Sequence, residues 1–250
     1  MLTDRFLPAL AVAVLLAQPP TAVADSEGMS LPHAGNDIRS HASLQRGARN
    51  FMNYCSGCHS AQFVRYNRIG TDLGIGEQEL TQNLMFTSGH SFDTIKNSMR
   101  ADDARKWFGT VPPDLSLMAR ARGPDYLYAF LRGFYLDPSR PTGANNAVMP
   151  GTAMPYITSE LQGTQRAVMR PAAESDSGVA EIEKLEQVTS GAMSTEQYEE
   201  FARDTVNFLE YIGEPVQVQR RDMGVWVTLF LLVFAGLAFM LKREYFRDIR

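Results

Sequence analysis

Cys55 and Cys58 are the only cysteines in the 250-residue chain, and His59 directly follows the second, in the stretch NYCSGCHS. Two thiols and an imidazole so close together suit three chemistries: a disulfide or redox dithiol, part of a zinc site, or covalent attachment of a haem. A redox C-x-x-C is expected near a βαβ pattern; none is present here, and a dithiol has no use for His59. A closed zinc site takes four protein ligands. Cys55 and Cys58 supply two, His59 follows too closely to join them, and His33, His41 and His90 show no paired spacing. C-x-x-C-H is the attachment signature of c-type haem and uses all three residues. The thiols become thioethers, the imidazole becomes the fifth iron ligand, and Ser56 and Gly57 suit the tight turn between them. One motif implies one covalent haem c.

The sixth ligand decides between an electron carrier and an open iron that binds gases or peroxide. Residues 136–156 hold Pro138, Pro141, Gly143, Pro150, Gly151 and Pro155. They read as a long irregular loop, a kind that is usually functional. Within it, VMPGTAMPY offers Met149 and Met154, neither easily explained as core filler. A thioether favours reduced iron and raises the potential. His41 and His90 are the bis-histidine alternatives, although a surface or hydrogen-bonded histidine is the simpler reading of each.

The elements that must position these groups are mostly helical. Leu44, Ala48, Phe51, Met52 and Cys55 recur at helical spacing, so an amphipathic helix delivers the first cysteine. Short helices are expected over 77–86 and 91–99, and VPPDLSLMARARG reads as a turn into another. Pro124 opens a helix with Tyr126, Phe130 and Phe134 on one face. Residues 161–193 are polar, with a hairpin expected around 179–188. In STEQYEEFARDTVNFLEYIGEP, Ser194 and Gln197 form a capping box. Phe201, Thr205, Phe208, Leu209 and Ile212 form the buried stripe, and Gly213 and Pro215 end the helix. No repeat and no alternating strand pattern of any length is visible.

Both ends carry addresses. Residues 1–24 combine Arg5, an apolar run to Ala17 and the small-x-small Ala22-Val23-Ala24, which predicts a signal peptide cleaved after Ala24. Residues 223–241 carry no charge over 19 positions, enough to cross roughly 28 Å of hydrocarbon. Lys242, Arg243, Arg247 and Arg250 follow, which keeps the tail in the cytoplasm. The expected organisation is a haem domain over 25–221, exported to the periplasm, a membrane anchor over 222–243 and a tail over 244–250. A formal net charge of −4 argues against nucleic acid as a partner. Acids concentrate in 174–214, 11 against two bases. That run is either a solvated face or a steering patch for a basic partner.

The pieces RGARNFMNYCSGCH, VPPDLSLMARARGPDYLYAFLRGFY, MPGTAMPY and VNFLEYIGEP, in this order and before a single C-terminal anchor, resemble the bacterial cytochrome c1 family. The resemblance covers most of the mature chain. It implies a mainly α, class I cytochrome c fold with long loops, whose N-terminal helix crosses the helix before the anchor. It also implies Cys55 and Cys58 as haem attachment points, His59 as proximal and Met154 as distal ligand, and Arg120 near a haem propionate. Tyr126 and Arg122 belong to that neighbourhood. Where many family members have an aromatic before the Pro-Gly of the ligand loop, this chain has Met149, which keeps the Met149 alternative open. The resemblance further implies a subunit of the proton-translocating quinol–cytochrome c reductase in the inner membrane of a respiratory or photosynthetic bacterium. There it passes electrons from a Rieske iron–sulfur protein to a soluble cytochrome c, beside a dihaem cytochrome b, and is no catalyst as an isolated chain. A membrane-anchored cytochrome c serving a terminal oxidase, and a haem enzyme or gas sensor with an open sixth position, are the competing classes.

Overall fold

The computed structural model describes residues 31–171 and 181–248; the expected signal peptide and the first residues of the arm over 25–40 lie outside them. Ser40 caps the first described helix, α1 (His41–Asn50), by accepting the Ser43 amide. The helix widens into a π-turn over Phe51–Cys55, so the periodicity that carries Cys55 is helical to its end. Its partner is α8 (Thr195–Gly213), opened by the capping box in which Ser194 and Gln197 exchange side chain-to-backbone bonds.

The two helices cross at Gly47. A Cβ added there would lie 2.1 Å from the Asp204 carbonyl oxygen and 2.7 Å from Phe208 Cβ. Around the crossing, buried Asp204 accepts from Ser43 Oγ at 2.6 Å and from Arg46 Nε at 2.5 Å. Asn207 donates to Ser43 Oγ, and Phe51 meets Phe208 at 5.7 Å between centroids. Gly47→Ala should therefore destabilise the protein by about 3 kcal/mol, the upper end for overpacking, because the first obstacle is backbone and cannot change rotamer. Chemical denaturation of the detergent-solubilised chain checks this; an unchanged midpoint would show that the crossing opens freely.

Between these helices lie β1 (Ala61–Arg65), α2 (Tyr66–Leu73), α3 (Glu77–Asn83), β2 (Thr94–Ile95), α4 (Ala101–Phe108), α5 (Met118–Arg122), α6 (Pro124–Arg132), β3 (Phe134–Leu136), β4 (Ala144–Asn146), α7 (Ser159–Gln162), β5 (Gly163–Arg170) and β6 (Glu181–Ser190). The strands form three antiparallel pairs, with Ala61 opposite Ile95, Phe134 opposite Asn146 and Gly163 opposite Ser190. The main core joins α1, the π-turn, α2, α8 and the buried side of α6; a smaller cluster gathers Phe134, Ala144 and Tyr156 against Phe130 and Met154.

Several expectations need correction. The segment 91–99 is no helix: Ile95 is wholly buried in a strand pair with Ala61, and the residues after it bond elsewhere. The helix from 77 stops at Asn83, and α4 was not foreseen. Phe134 leaves the face of Tyr126 and Phe130 because Gly133 ends α6 and the chain turns into β3. Strands do exist: β5 and β6 run for 8 and 10 residues. Their ladder breaks register at Thr164/Gln165 and Val168/Met169, and each irregularity flips the alternation that would have announced them. The hairpin expected around 179–188 falls on β6, with residues 179 and 180 outside the described ones.

Helix α9 (Gln217–Tyr245) is 29 residues long, with a mean hydropathy of 2.4 over its apolar window and none of that window buried. It contains the whole charge-free run and extends it at both ends. A helix apolar on every side along an unburied window matches a lipid surrounding.

Candidate functional site

The π-turn presents the attachment motif. Phe51 and Met52 are buried and fix it, while the Ser56 amide bonds the Phe51 carbonyl at 2.9 Å and Ser56 Oγ bonds the Met52 carbonyl. The Cys55 carbonyl then accepts from the amides of Cys58 and His59, at 3.1 and 2.8 Å. This fold-back places two half-buried, free thiols and the imidazole on one turn. Burial, reinforced by the neighbouring Cys58, pushes the Cys55 thiol up to about 12, and burial also raises Cys58. A redox dithiol needs a thiol pKa lowered by its surroundings, so these surroundings disfavour that chemistry. Gly57 is not needed for the turn: a Cβ there would meet nothing within 4 Å. Residues 97–99 lie beyond β2 and bond this loop. Asn97 Nδ2 donates to the Cys58 carbonyl at 2.7 Å, and the Met99 amide and Ser98 Oγ to that of Gly57.

His59 is oriented from across the site. Its Nδ1 donates to the Pro113 carbonyl at 2.8 Å, which leaves Nε2 with the lone pair. Burial lowers its pKa, against the opposing pull of that bond and of Asp114, so the ring stays neutral at pH 7. Both features suit a metal-binding imidazole, whose tautomer is set by the partner of its other nitrogen. Pro113 is itself held by Asp114, which accepts from Ser60 Oγ, the Gln62 amide and the Ser116 amide at 2.7–2.9 Å. Burial works against the Asp114 carboxylate, but these hydrogen bonds outweigh it and hold the group below the usual range. The Leu115 amide adds a bond to the Ser60 carbonyl. The PPDLS segment is therefore a clamp on the residues around His59. Neither Pro113 nor Asp114 is singled out in the sequence analysis.

Of the two loop methionines, Met149 is 46% exposed, whereas Met154 is half-buried against the cluster of Phe134, Ala144 and Tyr156, on which Phe130 also packs. Phe134 stacks on Tyr156 at 5.2 Å and meets Phe130 edge-on at 5.2 Å. The Met154 loop and the cysteine turn are both tied to the start of α8. Tyr54, beside Cys55, meets Phe201 edge-on at 5.3 Å, and Phe201 stacks on Tyr198 at 5.8 Å. The buried Tyr198 hydroxyl bonds Thr158 Oγ1 at 2.8 Å and the Leu131 carbonyl at 2.9 Å. His90 stacks on Phe92 in an exposed loop, and His41 is exposed in α1.

Tyr126 is partly buried, stacked on Phe130 and under the Arg122 guanidinium, 5.5 Å from its ring centre. Arg120 pairs with Glu214 at 3.2 Å, and Glu214 also takes Arg220 from the first turn of α9. Hydrogen bonding from Arg220 holds the Glu214 carboxyl below the ordinary range despite some desolvation. Its contribution is therefore present above the unfolded carboxylate range, about pH 4.3, and lost as pH falls through the lower folded value. The stability advantage of wild type over Glu214→Gln should vanish on acidification; an advantage that grows in acid would contradict the pairing. The acids of α8 are largely committed in this way: Glu199 to Arg132, Glu200 and Asp204 to Arg46, Glu210 to Asn36.

A neutral imidazole beside two thiols, a half-buried methionine in an ordered loop and one lipid-type helix define the class: a c-type cytochrome with a single C-terminal membrane span. The cytochrome c1 family matches residues 37–249. The cytochrome c1 of Allochromatium vinosum is 48% identical over 96% of this chain and 98% of its own. A protein named ammonia monooxygenase gamma subunit, from Nitrosomonas europaea, is 41% identical over 98% and 99%. The cytochrome c1 of Rhodospirillum rubrum is 28% identical over 83% and 82%. The chain belongs to the cytochrome c1 family: it is a membrane-anchored electron-transfer subunit of the bc1 complex and carries one covalently bound haem c.

Proposed function

We propose that this subunit takes electrons from a Rieske iron–sulfur protein and hands them to a soluble cytochrome c, as part of a quinol–cytochrome c reductase. Cys55 and Cys58 would hold the haem as thioethers, and His59 and Met154 would bind its iron. The observation that carries this is the His59 Nδ1 bond to the Pro113 carbonyl, which commits one nitrogen and leaves the other to a metal. The bound haem supplies one-electron redox chemistry. The chain's own contribution is to fix both ligands on opposite clamps, the PPDLS turn and the aromatic loop cluster, so that neither moves when the charge changes. Arg120 and Tyr126 are assigned to the propionate edge, where a guanidinium offsets the cost of burying a carboxylate. With Glu199, Glu200 and Asp204 paired to arginines, steering of a basic partner is left to the other acids of the surface.

The topology follows: residues 1–24 are a cleaved signal peptide, 25–221 the periplasmic haem domain, 222–243 the anchor in the inner membrane, and 244–250 the cytoplasmic tail with its basic residues inside. Truncation after Arg221 should give an exported, soluble, red protein, read as haem in the periplasmic fraction; equal recovery of both forms in the membrane would contradict the anchor. The electron-transfer role is tested by purifying the full-length chain from detergent-solubilised membranes. A Rieske protein and a dihaem cytochrome b should accompany it. Recovery with an ammonia monooxygenase or a terminal oxidase and no cytochrome b would overturn the proposal.

A further inference from the structure

We infer that Asn146 is the positioning residue for the Met154 loop, holding the methionine in the ligating position by clamping the loop's backbone. The inference rests on the proposal above that Met154 is the distal ligand. Asn146 is the last residue of β4, wholly buried, and both its side-chain oxygen and its side-chain nitrogen are hydrogen-bonded. Its Oδ1 accepts from the Val148 and Met149 amides, at 2.9 and 3.2 Å, and its Nδ2 donates to the Phe130 carbonyl at 2.8 Å. One side chain thus joins the start of the ligand loop to the end of α6, the helix whose Phe130 packs in the same cluster as Met154.

The hold is passed along the loop by short steps. The Thr152 amide bonds the Met149 carbonyl at 3.2 Å, and the Met154 amide bonds Thr152 Oγ1 at 3.4 Å, with Thr152 buried. Asn145 supports the outer side. Its Oδ1 accepts from the Gly151 amide at 2.7 Å, and its Nδ2 donates to Asp137 at 2.9 Å. Arg140 Nη2 donates to the Gly151 carbonyl at 2.8 Å. Gly133 leaves room for the clamp, since a Cβ there would lie 3.2 Å from Asn146 Oδ1 and 2.9 Å from the Ala129 carbonyl oxygen. A loop rich in glycine and proline has no regular ladder of its own, so side-chain amides take that place.

A side chain that merely fills space would affect stability without affecting how often the methionine leaves the iron. Carbon monoxide reads that second quantity, because the apparent affinity of a ligand scales with the fraction of molecules in the competent, open state. In the full-length, haem-loaded protein, Asn146→Leu keeps the volume and removes the amide. It should keep covalent haem, lower the midpoint potential and bind carbon monoxide about tenfold more tightly or better, as expected when two backbone anchors are lost. Asn146→Asp retains the acceptor for Val148 and Met149 and should restore much of the wild-type affinity. Asn145→Ala, at the less buried rim, should give a smaller shift and serves if Asn146→Leu does not mature. Wild-type carbon monoxide affinity and potential in both Asn146→Leu and Asn145→Ala, alongside an opened iron in Met154→Leu, would overturn the clamp alone. An iron still closed in Met154→Leu would overturn the ligand assignment and the clamp with it.

Discussion

Replacing Met154 with leucine should abolish the methionine–ferric-iron absorption band while the haem stays attached. Leucine keeps the apolar packing against the cluster of Phe134, Ala144 and Tyr156 but removes the sulfur. Without a thioether to favour reduced iron, the midpoint potential should fall on the order of 0.2 V, within the roughly 0.8 V range that axial ligands span. Ferrous protein should gain carbon monoxide binding, and quinol oxidation by the whole complex should stall because transfer from the Rieske centre becomes uphill. Met149→Leu is the control. Its side chain is 46% exposed, so the spectrum should not change and the cost should stay under about 1.5 kcal/mol for a volume-conserving swap. An opened iron in Met149→Leu and a closed one in Met154→Leu would exchange the two assignments. A closed iron in both would make His90 the first residue to test.

Loss of both thiols should have the other large effect. No third cysteine exists in the chain to replace them. In Cys55→Ala/Cys58→Ala, acid–acetone extraction should remove all haem from any protein that accumulates, whereas wild type should retain one haem per chain. A single Cys→Ser change should leave one thioether or stop maturation. Haem that resists extraction in the double variant would refute attachment at this turn. The test is independent of Met154, because the cysteine turn is held by Phe51, Met52 and residues 97–99 rather than by the ligand loop.

What was readable in the sequence was local. The haem motif lies within five residues, and the capping box and stripe of α8 are set by neighbours a turn apart, so both appear as written. The charge-free run is legible for the same reason. What escaped depends on distant partners. Gly47 looks like an ordinary weak point in a helix until Asp204 and Phe208 come within reach of its missing Cβ. The histidine's partner is a backbone carbonyl, and every residue has one, so nothing in the side chains could single out Pro113. Residues 91–99, SFDTIKNSM, hold only two strong helix formers, Lys96 and Met99, and the strand pairing of Ile95 and the bonds to the Gly57 and Cys58 carbonyls set their course instead. The family resemblance already favours Met154 over Met149; the different exposure of the two side chains supports that proposal and is not encoded in the loop's own sequence.

As the proposed haem c relay of a quinol-oxidising complex, this chain must cycle its haem during turnover. The most direct measurement is rapid mixing of the purified, full-length complex with a quinol, followed at the haem c absorption band. One haem c per chain should become reduced within the turnover time of the complex, in step with oxidation of the Rieske centre, and be reoxidised by added soluble cytochrome c. A haem c that stays oxidised while cytochrome b is reduced, or that binds carbon monoxide in the wild-type complex, would contradict it.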